Sequence, residues 1–158
     1  MKQKINKISV IGAGTMGTQI SIQAASYGYE VRIFDLAPEN FQKTLQNLRG
    51  LMKSSGRMPT IPFEEWEKGA GRVRMCKDLN EALKEAAIVI EALPENLDLK
   101  RKIFTQIDSL SSQEAILATN SSSIPISKIE SATKRPEKCL NIHFYQPALG
   151  MTMVDIMG

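Results

Sequence analysis

The chain is short of the residues that carry most side-chain chemistry. Its 158 residues include one histidine, one tryptophan and two cysteines. Cys76 and Cys139 lie far apart and form no C-x-x-C pair. A disulfide framework is therefore excluded, the thiols read as small buried hydrophobes in a reducing compartment, and no metal site is expected. Long hydrophobic runs are missing as well. No segment is long enough to span a bilayer, and the basic N-terminus leads into a strand with no apolar signal core ahead of it, so no membrane partner is expected and the cytoplasm is the expected compartment. Charge of one sign is also absent: Lys+Arg 20 against Asp+Glu 17 gives a net +3, scattered along the chain. Without a basic run interleaved with aromatics, a nucleic-acid partner is not expected. With 42% apolar and 23% charged residues, what remains is one ordinary globular domain.

Against this plain background one segment stands out. The apolar run Ile8-Ser9-Val10-Ile11 leads into Gly12-Ala13-Gly14-Thr15-Met16-Gly17, and Met16, Ile20 and Ala24 then recur at helical spacing. A bare G-x-G-x-x-G is a weak signal, but strand, glycine turn and helix together are the context that dinucleotide binding needs. Gly12 permits the tight turn, Gly14 lets the backbone approach a pyrophosphate, and Gly17 lets helix and strand pack closely. Free N–H groups at the helix start, around Thr15 and Met16, then face the anion. A second β-branched run, Val31-Arg32-Ile33-Phe34, stops at Asp35, where a carboxylate can accept from both ribose hydroxyls. That charge would repel a 2′-phosphate, and Leu36-Ala37-Pro38 follows in place of an arginine, so NAD is the expected cofactor. Arg32 is expected on the strand face opposite Ile33.

Strand and helix patterns alternate along the rest of the chain. Helices are predicted from Glu39 to Lys53, with Phe41, Leu45, Leu48 and Met52 on one face, and from Leu97 to Leu110, with Leu99, Ile103 and Ile107 inward. Between the first of these and a short amphipathic segment, Phe63 to Lys68, lies a polar break. Further strands are predicted at Val73–Met75, Ala87–Ala92, Ala115–Ala118, Leu140–Phe144 and in the Met-rich run Met151–Met157. Asp78 reads as a helix cap, and Ile124–Ile129 as a short helical turn. The expected fold is α/β: a Rossmann doubly wound, mostly parallel sheet with helices on both faces. Ligands of such sheets lie beyond the carboxyl ends of the strands, where Glu91–Asn96, Thr119–Ser123 and His143–Gln146 cluster.

Three ordered strings make the chain recognisable: Glu91-Ala92-Leu93-Pro94-Glu95-Asn96-Leu97, Asn120-Ser121-Ser122-Ser123 and His143-Phe144-Tyr145-Gln146-Pro147. Together they resemble the L-3-hydroxyacyl-CoA dehydrogenase family, which includes the bacterial 3-hydroxybutyryl-CoA dehydrogenases of fatty acid metabolism. The likeness runs from Ile8 to about Met157 and covers the family's NAD-binding domain, here 1–158, without the helical C-terminal substrate and dimerisation domain. It implies an acyl-CoA substrate and either a homo-oligomer or a missing helical domain as partner. By the same resemblance His143 is the catalytic histidine, the position of its carboxylate partner is Asp155, and Ser122 hydrogen-bonds the substrate oxygen. Gly12, Gly14, Gly17 and Asp35 match the cofactor positions, Glu95 and Lys100 lie near the ribose units, and Asn120 joins the cofactor set. Asp155 is a methylene shorter than the family's glutamate, and Gln146 stands where the family has asparagine.

The chemistry fits those residue types. Histidine can take a hydroxyl proton near neutral pH, a carboxylate behind it fixes its tautomer, and a serine can polarise the carbonyl oxygen. Because His143 is the one histidine, any imidazole catalysis uses it. Plainer readings compete: a strand histidine held in the core, Ser121–Ser123 capping a helix, Glu95 and Lys100 as a surface ion pair, the basic loop Lys53–Arg57 as merely solvated. An NAD-binding module without turnover and a dehydrogenase of a hydroxy acid lacking CoA are the functional alternatives. An unpaired carboxylate at Asp155, inside an apolar run, would be costly, so a partner is expected, with His143 the candidate. An exposed apolar seam at Met151–Met157 would fit a chain that packs against a further domain or chain.

Overall fold

A computed structural model describes residues 5–55, 61–148 and 153–158. Of the predicted features, the polar break over 56–60, with Arg57 of the basic loop, and Met151 of the last run lie outside the described residues. The order of elements is β1 (Lys7–Ile11), α1 (Thr15–Ser26), β2 (Glu30–Phe34), α2 (Glu39–Ser55), α3 (Phe63–Arg72), β3 (Arg74–Met75), α4 (Leu79–Leu83), β4 (Ile88–Glu91), α5 (Leu97–Leu110), β5 (Ile116–Thr119), three 3-10 turns, β6 (Cys139–Phe144) and β7 (Val154–Met157). They form one seven-stranded sheet in the order β3-β2-β1-β4-β5-β6-β7, parallel except for the β6–β7 pair. The chain winds outward from β1 in both directions, so a crevice opens above β1 and β4, where the winding reverses.

Alternation of side chains along the strands explains the two cores. Val10, Ile33, Ile90 and Ala118 pack with α1, α2 and α3 on one face. Ile11, Val89 and Leu117 point the other way, against Leu83 of α4 and Phe104 and Ile107 of α5. Both faces are buried, and the central strands are accordingly apolar almost throughout. Phe41, Leu45 and Leu48 fill the inner face of α2 as predicted, and Cys76 and Cys139 are free, buried thiols. Asp78 caps α4, accepting from the Glu81 N–H at 2.8 Å. Among the described residues no helix is long and apolar enough to cross a membrane.

Three elements depart from the sequence reading. Helix α3 runs on through Gly69 to Arg72, where the pattern predicts an end at Lys68. A Cβ at Gly69 would lie 2.1 Å from Ser26 Oγ and 2.9 Å from Ile22 O, so the glycine lets α3 lie directly on α1 rather than breaking the helix. The inner face of α5 carries Lys100, Phe104 and Ile107, whereas Leu99 is 39% exposed. Beyond β5, the single predicted turn is three 3-10 turns, Ile126–Lys128, Glu130–Ala132 and Pro136–Lys138, with buried Arg135 fastened to Asp108 at 2.8 Å.

Candidate active site and cofactor cleft

At the carboxyl ends of β1, β2, β4, β5 and β6 lies one cavity of about 950 Å³. Its floor is the glycine turn. Gly12 has φ +107°, which disfavours any side chain, and a Cβ there would meet the Ala92 carbonyl at 2.7 Å. A Cβ on Gly17 would sit 1.9 Å from the Gly12 carbonyl oxygen, so this glycine serves packing beneath the cleft and does not line it. Gly14 does line it, and a Cβ there would meet no protein atom within 4 Å. The space that its missing side chain leaves belongs to the cavity. Helix α1 starts beside it at Thr15 and Met16, with no side-chain cap and no acidic residue in its first turn, so its free N–H groups and dipole are available to an anion.

Asp35 ends β2 at the rim. Its Oδ2 accepts from the Ala13 N–H at 2.6 Å and its Oδ1 from the Ala37 N–H at 2.8 Å, which orients the carboxylate toward the turn. Arg32 lies on the other face, donating to the Glu81 carbonyl at 2.9 Å, as strand alternation predicts. The residues thus fit a dinucleotide: an open glycine at the turn, an uncapped helix start and an oriented carboxylate with no arginine beside it.

The far wall is built by a network that the sequence reading passed over. Glu91, the last residue of β4, is fully buried; its carboxylate accepts from Lys100 Nζ at 2.8 and 3.0 Å and from Thr119 Oγ1 at 2.7 Å. Lys100 also donates to the Leu93 carbonyl at 3.1 Å. Glu95 lies 3.9 Å from the Lys100 ammonium, but the plainer reading of the two as a solvated surface pair does not hold: the lysine is 1% exposed and its hydrogen bonds go to Glu91 and Leu93. The available signal was an acid closing an otherwise apolar strand, since a buried charge requires a partner. With Lys100 drawn inward, Leu99 and Ile103 turn to the cavity.

Glu95 itself crosses to the β5 loop, accepting from Ser121 Oγ at 2.6 Å, the Ser122 N–H at 2.9 Å and Ser122 Oγ at 3.4 Å. Burial disfavours its ionised form, but the bonds from Ser121 and Ser122 and the Lys100 charge outweigh that and hold its carboxyl below the usual range. Ser121 is the local cap, accepting from the Ile124 N–H at 2.8 Å, and Ser122 is the serine exposed to the cleft. Asn120 Oδ1 accepts from the Phe144 N–H at 2.9 Å, tying the end of β5 to the strand that carries His143.

His143, Ser122, Asn120, Glu95 and Lys100 therefore line the same cavity as Gly14 and Asp35. Asp155 faces His143 across the β6–β7 ladder, but its carboxylate accepts from the Tyr145 hydroxyl. Among the described residues no hydrogen bond joins it to the imidazole, which corrects the expected pairing. The Tyr145 ring packs on His143 at 4.9 Å between centroids, tilted by 60°. The hydrogen bond to Asp155 raises the Tyr145 phenol above its ordinary value. Met153, just before β7, and Val154, Ile156 and Met157 within it are exposed, the apolar seam that the sequence suggested.

Residues 7–158 match the family described as 3-hydroxyacyl-CoA dehydrogenase, NAD binding domain. The chain belongs to this family. It is 31% identical over 158 residues to a 3-hydroxybutyryl-CoA dehydrogenase of Mycobacterium tuberculosis, covering 99% of this chain and 55% of that protein. The crystal structure of the 3-hydroxybutyryl-CoA dehydrogenase of Escherichia coli K12 superposes with a TM-score of 0.84 at 32% identity, over 98% of this chain and 32% of that one. A diketoreductase acting on dicarbonyl compounds superposes at 0.85 with 32% identity, over 99% and 56%. As a member of this dehydrogenase family, the domain takes NAD as its cofactor. The chain spans from 32% to 56% of the length of these relatives.

Proposed function

We propose that this domain serves the NAD-dependent oxidation of the 3-hydroxyl of an L-3-hydroxyacyl-CoA to the 3-ketoacyl-CoA, and its reverse. The observation that carries the reading is that His143, the one imidazole in the chain, and the hydroxyl-bearing Ser122 line the same cavity as the glycine turn. NAD, when bound, supplies the hydride acceptor. Gly14 and the start of α1 hold its pyrophosphate, while Asp35 takes the adenosine ribose and Glu95 the ribose near the reacting end. His143 takes the proton of the substrate hydroxyl and returns it in the reverse direction. Ser122, exposed and only loosely bonded to Glu95 at 3.4 Å, donates to the substrate oxygen. Asp155 is the carboxylate opposite the histidine in the ladder, and Asn120 fixes the strand end behind it.

The substrate pocket is completed in this proposal by a helical domain or by a second copy, packed against the exposed side of β7. Its setting is fatty acid metabolism in the cytoplasm, where the two free thiols stay reduced. A hydroxy or dicarbonyl substrate without CoA is the second reading, favoured by Gln146 in the cavity wall and by the likeness to the diketoreductase.

Mixing the chain with NADH and acetoacetyl-CoA and following loss of reduced-nicotinamide absorbance tests the proposal. Turnover that vanishes in His143→Ala is the expected result. NADH that binds without turnover would instead mark a cofactor-binding module, and turnover of a free dicarbonyl alone would establish the second reading.

A further inference from the structure

We propose that Tyr145 is a positioning residue of this site: its hydroxyl holds the Asp155 carboxylate off His143, so that ring contact, and not the carboxylate, orients the imidazole. The inference rests on the reading of His143 as the proton acceptor and adds to it a residue that the reading did not need. Its basis is the ladder. In the β6–β7 register His143 lies opposite Asp155. Tyr145, two residues on from His143, packs tilted against the imidazole at 4.9 Å between ring centroids, so the ring, the carboxylate and the phenol converge at one end of the sheet. Directly opposed side chains diverge little, and a carboxylate on a single methylene has short reach. A diagonal partner with a long side chain can come to meet it. The phenol does so, donating to Asp155 Oδ2.

The tilted ring pair is of the kind that aromatic quadrupoles favour, so one side chain holds both the carboxylate and the imidazole. The carboxylates that line the cavity, and the buried Lys100, are committed elsewhere. Glu95 accepts from Ser121 and Ser122, Lys100 serves Glu91, and Asp35 accepts from Ala13 and Ala37. Asp155 is therefore the carboxylate for which phenol and imidazole compete, and the phenol has it.

The single histidine makes the test unambiguous, because every imidazole nitrogen signal of the 15N-labelled chain belongs to His143. The ratio of its two neutral tautomers is read in the wild type, Asp155→Asn, Tyr145→Phe and the double variant. Asp155→Asn alone should leave the ratio within about twofold. Tyr145→Phe frees the carboxylate to accept from a ring N–H and should bias the ratio by about tenfold, the factor expected of one charge-assisted hydrogen bond. Adding Asp155→Asn to Tyr145→Phe should cancel that bias. A tenfold change in Asp155→Asn alone, or none in Tyr145→Phe, overturns the proposal. Should Tyr145→Phe fail to fold, Asp155→Asn decides by itself: within about twofold supports it, and about tenfold overturns it. Neither NAD nor substrate enters the measurement, so a failed turnover assay and a failed tautomer assay are separate results.

Discussion

The glycine turn and the β6–β7 end of the sheet border one cavity by different means. At the turn, the binding features are backbone: a positive φ at Gly12, a contact at Gly17 that admits no Cβ, and open space at Gly14. Such features depend on the residue being glycine and on little else, so they survive in any chain that keeps the motif. At the β6–β7 end the features are side chains in competition. Whether Asp155 serves His143 or Tyr145 is decided by the length of one carboxylate and the reach of one phenol. The cofactor half of a site can thus be read almost by rule, while the proton-handling half turns on single methylenes and single hydroxyls.

Between the two regions stands Glu91, and its loss should produce the largest effect. Glu91→Ala leaves the Lys100 ammonium buried without its partner and should cost about 3–5 kcal/mol, read as a lowered urea midpoint. The turn itself can be taken apart with two alanines. Gly17→Ala drives a methyl into the Gly12 carbonyl and should cost about 1–3 kcal/mol together with NADH binding. Gly14→Ala meets no protein atom, so stability should stay within about 0.5 kcal/mol while NADH affinity drops about tenfold or more, as titration of nicotinamide fluorescence would reveal. Equal losses of stability in the two variants would break the distinction between packing and ligand space.

The smallest effect lies at Glu95. Its folded carboxyl is held below the ordinary value of 4.5, so the stability it contributes is complete above that pH and fades as pH falls through the lowered value. Its side chain is 40% exposed, and water screens the interaction, so Glu95→Gln should cost less than about 1 kcal/mol at neutral pH. Urea midpoints of wild type and variant should converge on acidification, and a gap that widens in acid would contradict the sign.

What was legible in the sequence follows the same division. The alternation of strands and helices, the turn, Asp35 and the capped start of α4 are local or periodic, and each appears where the pattern puts it. On α5 helical periodicity puts Leu99 inward with Ile103 and Ile107, whereas a buried Glu91 on another strand pulls Lys100 inside and leaves Leu99 outside. The run of α3 through Gly69 was invisible because the glycine answers to α1, far away in sequence. Asp155, expected to partner His143, does lie opposite it in the ladder, but its hydrogen bond goes where reach in three dimensions takes it, which spacing along the chain does not encode.

The enclosure of Lys100 carries a last consequence. Thioesters acylate accessible amines, and a lysine in the wall of a cavity proposed to admit acyl-CoA would ordinarily be a target for self-inflicted modification. Here the three donors of the ammonium all point at oxygen, two on Glu91 and one on Leu93, and the group is 1% exposed. The geometry that holds up the cleft wall also makes this amine chemically silent toward the class of substrate it borders.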